Sequence, residues 1–361
     1  MGSILAKRIK EDAKIEKGDI ICDFPRKMLL ELTNMCNDSC LFCANSKCTK
    51  ERGIIDKDFA KRILREAYDL GMREVGFYGT GEPLLDKNLE EYISYAKQIG
   101  YEYTYITTNG ALLTKERSET IIAAGIDSIK FSINASNKKE YQMIHGKDDF
   151  DRVIENLIYL DALRKKKNKE LAVYISYVLT RYTYSHKDEF KKQYSQYVDD
   201  IVFVDCLNTG GYMSDEISSM LSMNGITKTY FEDDICPMIF RNLYITYEGY
   251  LTMCCSDFQN YLVVADLNKD SLADAWNNQY AQELRKRHLD HKLEGTICAN
   301  CIYNCNEICY PLVKEYASMF DIQKYDKSAE IEERISNWQH DVEVKPESEN
   351  ANADTGNIND L

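Results

Sequence analysis

Between residues 27 and 208, six short apolar or β-branched runs alternate with segments of helical spacing, and few folds accommodate that alternation. The runs cover residues 27–33, 74–78, 103–108, 128–134, 171–180 and 200–208, and each reads as a buried strand. The first segment between them puts Phe59, Ile63, Leu64, Ala67 and Leu70 on one helical face and stops at Gly71. Strand–helix–strand repeats imply parallel strands with helical crossovers. Six units fall short of the eight that close a full barrel, so the pattern predicts an α/β fold, a partial (β/α)6 barrel with its chemistry at the C-terminal strand ends.

From about Phe231 the pattern changes to closely spaced cysteines and two short strands, 243–247 and 250–253, joined by a turn at Glu248 and Gly249. A chain of 361 residues with 44% hydrophobic content can bury one large core and a smaller appended one. The organisation predicted is an N-terminal extension over 1–26, a barrel over 27–230, a small cysteine-rich domain over 231–320, then a helix from Ser328 to about Trp338 and a disordered acidic tail. No internal repeat is apparent.

The charge balance, 45 basic against 59 acidic side chains or −14 net, repels phosphate backbones and argues against nucleic acid as a partner. No apolar run approaches the roughly 20 residues that span a bilayer, and the N-terminus lacks a signal-peptide core, so a cytoplasmic protein without a membrane partner is expected. Thirteen cysteines in such a chain read as metal ligands before they read as disulfides.

Cys36, Cys40 and Cys43 follow the first strand on one loop. A four-iron cluster takes four ligands, so three thiolates leave one iron open to chelation by a small molecule, and the amino and carboxylate groups of a methionine suit that place. The alternatives are a zinc site completed by Cys48, or three unrelated buried thiols. With Phe42 before the last cysteine, the loop resembles the radical S-adenosylmethionine superfamily, whose motif is Cys-x3-Cys-x-aromatic-Cys after the first strand. The resemblance implies a [4Fe-4S] cluster, bound S-adenosylmethionine, its reductive cleavage to a 5'-deoxyadenosyl radical, and a flavodoxin or ferredoxin-type reductant. The cofactor carries that chemistry; the protein orients the substrate and excludes solvent.

Gly79-Thr80-Gly81-Glu82-Pro83, after the second strand, lets backbone approach a ligand closely, although an ordinary turn has the same composition. It resembles the superfamily's Gly-Gly-Glu motif with Thr80 inserted, which implies a grip on the methionine ammonium. Thr107-Thr108-Asn109-Gly110 ends the third strand, where Thr108 and Asn109 suit a ribose or a capping turn equally. Ser132 and Asn134 share a face of the fourth strand and suit ribose or carboxylate contacts. Tyr177 and Val178 flank adenine or pack in the core. In related enzymes an arginine after the fourth strand pairs with the methionine carboxylate; here the stretch reads Ile144-His145-Gly146-Lys147, so Lys147 or His145 would supply the charge without a guanidinium fork.

Cys236, Cys254, Cys298, Cys301, Cys305 and Cys309 supply thiolate for a second centre, iron-sulfur or a zinc ribbon. The stretch from Cys236 through Gly249 to Cys254 resembles the SPASM or twitch extension of the superfamily. The full SPASM pattern has seven cysteines for two auxiliary clusters, with one well after the dense run, yet none follows Cys309. The arrangement resembles the single-cluster one of the butirosin-pathway inosamine dehydrogenase, which implies an auxiliary [4Fe-4S] cluster on Cys236, Cys254, Cys298 and Cys301. Cys305 and Cys309 replace a late ligand or pack as apolar residues, Cys255 is too close to its neighbour to share a cluster, and Cys22 and Cys206 read as buried thiols. Asp257 resembles the aspartate that acts as general base near an auxiliary cluster in sulfatase-maturating relatives; turn formation is the competing role.

An auxiliary cluster gives the second electron of an oxidation somewhere to go, so the expected activity is that of a radical S-adenosylmethionine oxidoreductase. Its expected substrate is a small carbohydrate or aminocyclitol alcohol, dehydrogenated to a ketone. The alternatives are modification of a peptide or protein, and a zinc-binding protein without catalysis. Only 35 residues precede Cys36, too few for a leader-binding domain on this chain, though a separate chain could provide one.

Overall fold

In the computed structural model, which describes residues 19–167, 170–213, 232–319 and 333, the six runs pair as parallel strands. They are β1 (Lys27–Leu30), β2 (Glu74–Gly76), β3 (Tyr103–Thr108), β4 (Ser128–Ser132), β5 (Ala172–Leu179) and β6 (Asp200–Asp205), and they lie side by side in chain order. Helices α1 (Lys57–Asp69), α2 (Leu89–Ile99), α3 (Lys115–Ala124), α4 (Lys138–His145), α5 (Phe150–Lys167) and α6 (Lys187–Tyr194) form the crossovers of a partial α/β barrel. Most strands end short of the predicted runs. Residues such as Glu31 and Tyr78 leave the ladder and enter the loops that carry the site.

Local chemistry explains α1. Asp56 caps it by accepting from the Phe59 N–H at 2.8 Å, and Phe59, Ile63, Leu64 and Ala67 are buried. The chain reverses at Gly71, whose φ of +108° admits little but glycine, while the Met72 N–H donates to the Ala67 carbonyl at 2.9 Å.

Alternation sorts each strand. Along β3, Thr104, Ile106 and Thr108 are buried on the helix side, and Tyr103, Tyr105 and Thr107 face the barrel interior. Gly76 in β2 is small for this reason: a Cβ there would lie 2.6 Å from the Leu29 side chain and 2.7 Å from the Tyr105 ring.

The sheet does not stop at the expected boundary. After α7 (Met238–Arg241), β7 (Asn242–Ile245) pairs parallel to β1, with Leu29 opposite Tyr244, and β8 (Tyr250–Thr252) and β9 (Val263–Asp266) follow antiparallel. One nine-stranded sheet in the order β6-β5-β4-β3-β2-β1-β7-β8-β9 therefore carries both cysteine-rich regions. Sequence reading missed β9, because its four residues are all buried and show no alternation. The helix expected from Ser328 and the acidic tail lie outside the described residues, except Glu333. No helix among the described residues is long and apolar enough to cross a membrane.

Behind the β7–β9 extension pack α8 (Leu272–Trp276), α9 (Gln279–Leu289) and α10 (Ile297–Tyr303). Arg285 on α9 is fully buried, with its guanidinium carbon 4.2 Å from the Trp276 ring centre. It donates to the carbonyls of Ile20, Ile239 and Trp276 and to Asn277 Oδ1 at 2.8–3.1 Å, joining the N-terminal segment to α7 and α8. Arg285→Met would remove all four bonds, although Asn277 Oδ1 keeps the Cys22 N–H at 3.0 Å; a loss of about 3 kcal/mol is expected in chemical denaturation, and Arg285→Lys, which lacks the fork, should recover only part of it.

Candidate active site

The loop carrying Cys36, Cys40 and Cys43 has one short turn of its own, Ala44–Lys47, and is shaped by its neighbours. From the β2 side, Glu82 N–H donates to Met35 O at 2.8 Å, and Asn45 Nδ2 donates to the carbonyls of Asn34 and Thr80 at 2.9 and 2.7 Å. From α4, the carbonyls of Ile144 and His145 accept the Leu41 and Ser39 N–H groups at 2.9 and 3.0 Å. Arg52 on the return strand donates to Asn34 O and Asn45 O, both at 2.7 Å. The three cysteines, with Asp38, Asn45, Ser46 and Arg52, line a cavity of about 280 Å3.

Each expected cofactor contact has a definite place. Gly81 lies against the backbone of Thr33, Asn34 and Met35, and Gly79 against the Glu31 side chain, so both glycines serve close approach between two loops. Thr80 donates through N–H, at 2.9 Å, and Oγ1 to Glu31 Oε1, while Glu31 Oε2 accepts from the Tyr247 N–H at 3.2 Å. Buried Glu82 accepts from Thr108 Oγ1 at 2.6 Å, Asn109 N–H at 2.8 Å and Leu84 N–H at 3.1 Å. Burial pushes its pKa up to about 7 against these bonds. Asn109 Nδ2 reaches Asn37 Oδ1 at 2.9 Å. Phe42 packs beside Leu41, Met143 and Ile144.

Past β4, Ser132 stays on the interior face opposite Ser176, but Asn134 turns away. Asn134 Oδ1 accepts from the Val178 N–H at 2.8 Å, and its own N–H donates to His145 Nε2 at 3.4 Å. That leaves the His145 Nδ1–H to donate to Asp38 Oδ2 at 3.0 Å, 3.5 Å from the Cys40 sulfur and under the stacked Tyr141 ring. His145 is thus engaged on both nitrogens, whereas Lys147 is exposed. Tyr177 is buried between Phe190 and Phe203, and Val178 packs beside the cysteine-loop cluster.

The second cysteine set gathers where β7, β8 and α10 meet. Cys236 lies within electrostatic reach of Cys301 and Cys255, Cys254 of its neighbour Cys255 and then Cys298 and Cys236, and Cys298 of Cys236 and Cys301. Burial pushes the Cys236 thiol up to about 12 and Cys298 well up; on the first loop, burial and then Glu82 and Asp38 raise Cys36, and burial raises Cys43. Such thiols ionise only against a metal.

Among the described residues the one group of three or more ligating atoms that all lie within 4.8 Å of one another is Asp38, Cys40 and His145. Cys305 and Cys309 stand apart on the two ends of the Asn300 amide, at 3.4 and 3.2 Å. Cys206 is buried, Cys22 half-buried, and Cys48 donates to Phe258 O at 3.1 Å.

Beside Cys254 a small cavity of about 30 Å3 is lined by Glu31, Tyr78, Thr80, Tyr244, Cys255 and Asp257 among others. Asp257 accepts from Thr252 Oγ1, Tyr261 N–H and Leu262 N–H at 2.7–2.8 Å, and burial raises its pKa. Sequence reasoning missed Glu31, Asp38, Arg52 and Lys50, all polar residues flanking the first motif. Lys50 is buried on Glu248 at 3.1 Å and Asn260 at 3.0 Å; burial opposes its charge, but Glu31 and Glu248 outweigh it and raise its pKa.

A family model of the radical SAM superfamily matches residues 30–192, and one of an iron-sulfur cluster-binding domain, SPASM, matches residues 236–302. A probable GTP 3',8-cyclase of Saccharolobus islandicus is 35% identical over 128 residues, 36% of this chain and 41% of that protein. One of Methanothermobacter thermautotrophicus is 33% identical over 124 residues, 34% and 40% of the two chains. The match thus spans about two fifths of these relatives.

Among solved structures, BtrN in complex with AdoMet and 2-DOIA aligns with a TM-score of 0.50 at 20% identity, over 74% of this chain and 88% of that one. Streptococcus suis SuiB bound to the precursor peptide SuiA gives 0.59 at 18%, over 77% and 69%. The enzyme anSMEcpe with bound AdoMet gives 0.56 at 13%, over 88% and 97%. At these identities the likeness is one of fold.

Two predictions follow from the loop supports. A Cβ on Gly81 would press into the carbonyl oxygens of Thr33 and Met35, so Gly81→Ala should cost about 1–3 kcal/mol and lower the iron retained after anaerobic reconstitution. His288 on α9 accepts from the Cys236 N–H at 3.5 Å, and burial, then His291, push its pKa from 6.5 down to about 4. Below pH 6.5 the unfolded chain binds a proton that the folded one refuses, so metal-free protein should lose up to about 3 kcal/mol between pH 6.5 and 4. His288→Gln should flatten that slope in urea titrations.

Proposed function

The chain belongs to the radical S-adenosylmethionine superfamily and carries a C-terminal SPASM iron-sulfur domain, and from that premise we propose that it dehydrogenates an alcohol carbon of a small carbohydrate or aminocyclitol. The observation that carries the proposal is the second cysteine set itself, since a centre held by Cys236, Cys254, Cys298 and Cys301 would give the second electron of an oxidation somewhere to go.

Cys36, Cys40 and Cys43 would hold the cluster that binds S-adenosylmethionine, and Cys236, Cys254, Cys298 and Cys301 the auxiliary one. When bound, these groups supply a hydrogen-abstracting carbon radical and an acceptor for the second electron. The substrate carbon would give up a hydrogen atom and then an electron, its hydroxyl would give up a proton, and the C–O bond would become a carbonyl.

This chain's residues do the rest. In this reading the Gly79–Glu82 backbone and Ser132 would hold S-adenosylmethionine, with Lys147 as a cation for its carboxylate. Glu82, Thr108, Asn109 and Asn134 spend most of their hydrogen-bonding capacity on one another and on neighbouring loops, so in this reading they are positioning residues. Asp257 accepts one hydrogen bond at Oδ1 and two at Oδ2; the remaining Oδ1 lone pair, with the pKa raised by burial, suits it to take the hydroxyl proton. The electron would come from a flavodoxin or ferredoxin-type donor.

Anaerobic enzyme with dithionite should convert S-adenosylmethionine to 5'-deoxyadenosine, and Cys36→Ala should stop it. With C–H-deuterated polyols and aminocyclitols, deuterium should appear in the deoxyadenosine. Transfer from a labelled peptide alone would instead make the protein a peptide-modifying enzyme.

A further inference from the structure

Strand β4 reads Ser-Ile-Lys-Phe-Ser, and its lysine is the unexplained residue of the barrel interior. Ile129 and Phe131 are fully buried against the helices, so alternation turns Lys130 and Ser132 to the inner face. Lys130 has no hydrogen bond or ion pair among the described residues. Its Nζ lies 6.0 Å from the centre of the Tyr78 ring, and Cys255, when ionised, is the neighbour that would favour its charge.

The carboxylates lining the interior are committed elsewhere, Glu31 to Thr80 and Tyr247, Asp257 to Thr252, Tyr261 and Leu262. A second group points the same way. Thr107, opposite Lys130 on β3 and on the same face, has a buried hydroxyl without a hydrogen-bond partner. An ammonium and a hydroxyl side by side on one half-buried face, neither with a hydrogen-bond partner among the described residues, are complementary to an oxyanion.

We propose that Lys130, with Thr107 beside it, binds an anionic group of the substrate, a carboxylate or a phosphate. The proposal rests on the reading of a small polyhydroxylated substrate and narrows it to sugar acids or sugar phosphates. The methionine carboxylate of S-adenosylmethionine is a poor candidate for this place. Lys130 lies two residues inside the C-terminal end of β4, about 7 Å of strand below it, whereas the cysteine loop stands beyond the strand ends. Burial lowers the pKa of Lys130, and a bound anion would reverse that shift.

The test is equilibrium dialysis of the anaerobic, iron-loaded enzyme with S-adenosylmethionine present, using labelled orthophosphate in one arm and labelled succinate in the other. One saturable site is expected in at least one arm, and the arm that shows it tells phosphate from carboxylate. Lys130→Met should weaken it about tenfold or more, Lys130→Arg should restore most of it, and Lys87→Met on the exposed surface should leave it alone. Iron content at the wild-type level would show that Lys130→Met is folded and loaded. Absence of saturable binding in both arms of the wild-type enzyme, or equal binding by Lys130→Met, would overturn the proposal. Because this readout is binding, it stands or falls separately from the deuterium-transfer test of dehydrogenation.

Discussion

The contact on which the site depends is the approach of the β2 loop to the start of the cysteine loop, backbone against backbone, at Gly81. No side chain fits there: the glycine faces the carbonyls of Thr33 and Met35, and the next residue donates its N–H to one of them. Three thiols on a loop with little secondary structure have no reason of their own to converge, because ordering that chain costs entropy at every residue. Convergence comes from hydrogen bonds supplied by three directions, the β2 loop, the end of α4 and the Arg52 return. Each supplier is itself anchored in the sheet or its helices. The barrel therefore transmits its rigidity to a segment that lacks any.

The same logic joins the two cysteine sets. Because β7 pairs with β1, the strand that leads into the first set is also the neighbour of the strand that leads toward Cys254. Glu31, one residue past β1, receives Thr80 on one oxygen and Tyr247 on the other. Lys50, beyond Cys48, is buried on Glu248 and Asn260. Charged groups placed this deep are stable only with complete partners, so they fix one relative arrangement of the two halves. A distance between two electron carriers must be fixed in this way if both are to serve one substrate.

Much of this was legible in the sequence, for identifiable reasons. The parallel strands announced themselves by β-branched runs between amphipathic segments, and α1 by its cap, its apolar face and Gly71. The cysteine loop was legible because ligand spacing is local. What escaped detection was non-local or without period. β9 has no alternation because every residue in it is buried, and the continuity of the sheet through β1 and β7 needs a pairing more than two hundred residues apart. Asn134 was expected on the same face as Ser132, but the strand ends between them, and a side chain past the last ladder bond no longer obeys a period of two. The Asp38 and His145 pair could not be foreseen, since it joins the motif to a helix end 107 positions away.

Burial serves two ends that would otherwise need separate devices. A thiol out of water resists ionisation, as Cys36, Cys43, Cys236 and Cys298 do here, so these side chains have little tendency to form stray thiolates and disulfides. The removal of water that raises those thiols also removes what would dissipate a carbon radical or compete for its hydrogen atom. Polar groups left inside such a space must then be matched by the substrate itself. Under the proposal made above, that requirement is what would make Lys130 and Thr107 the complement of an anionic group of the substrate.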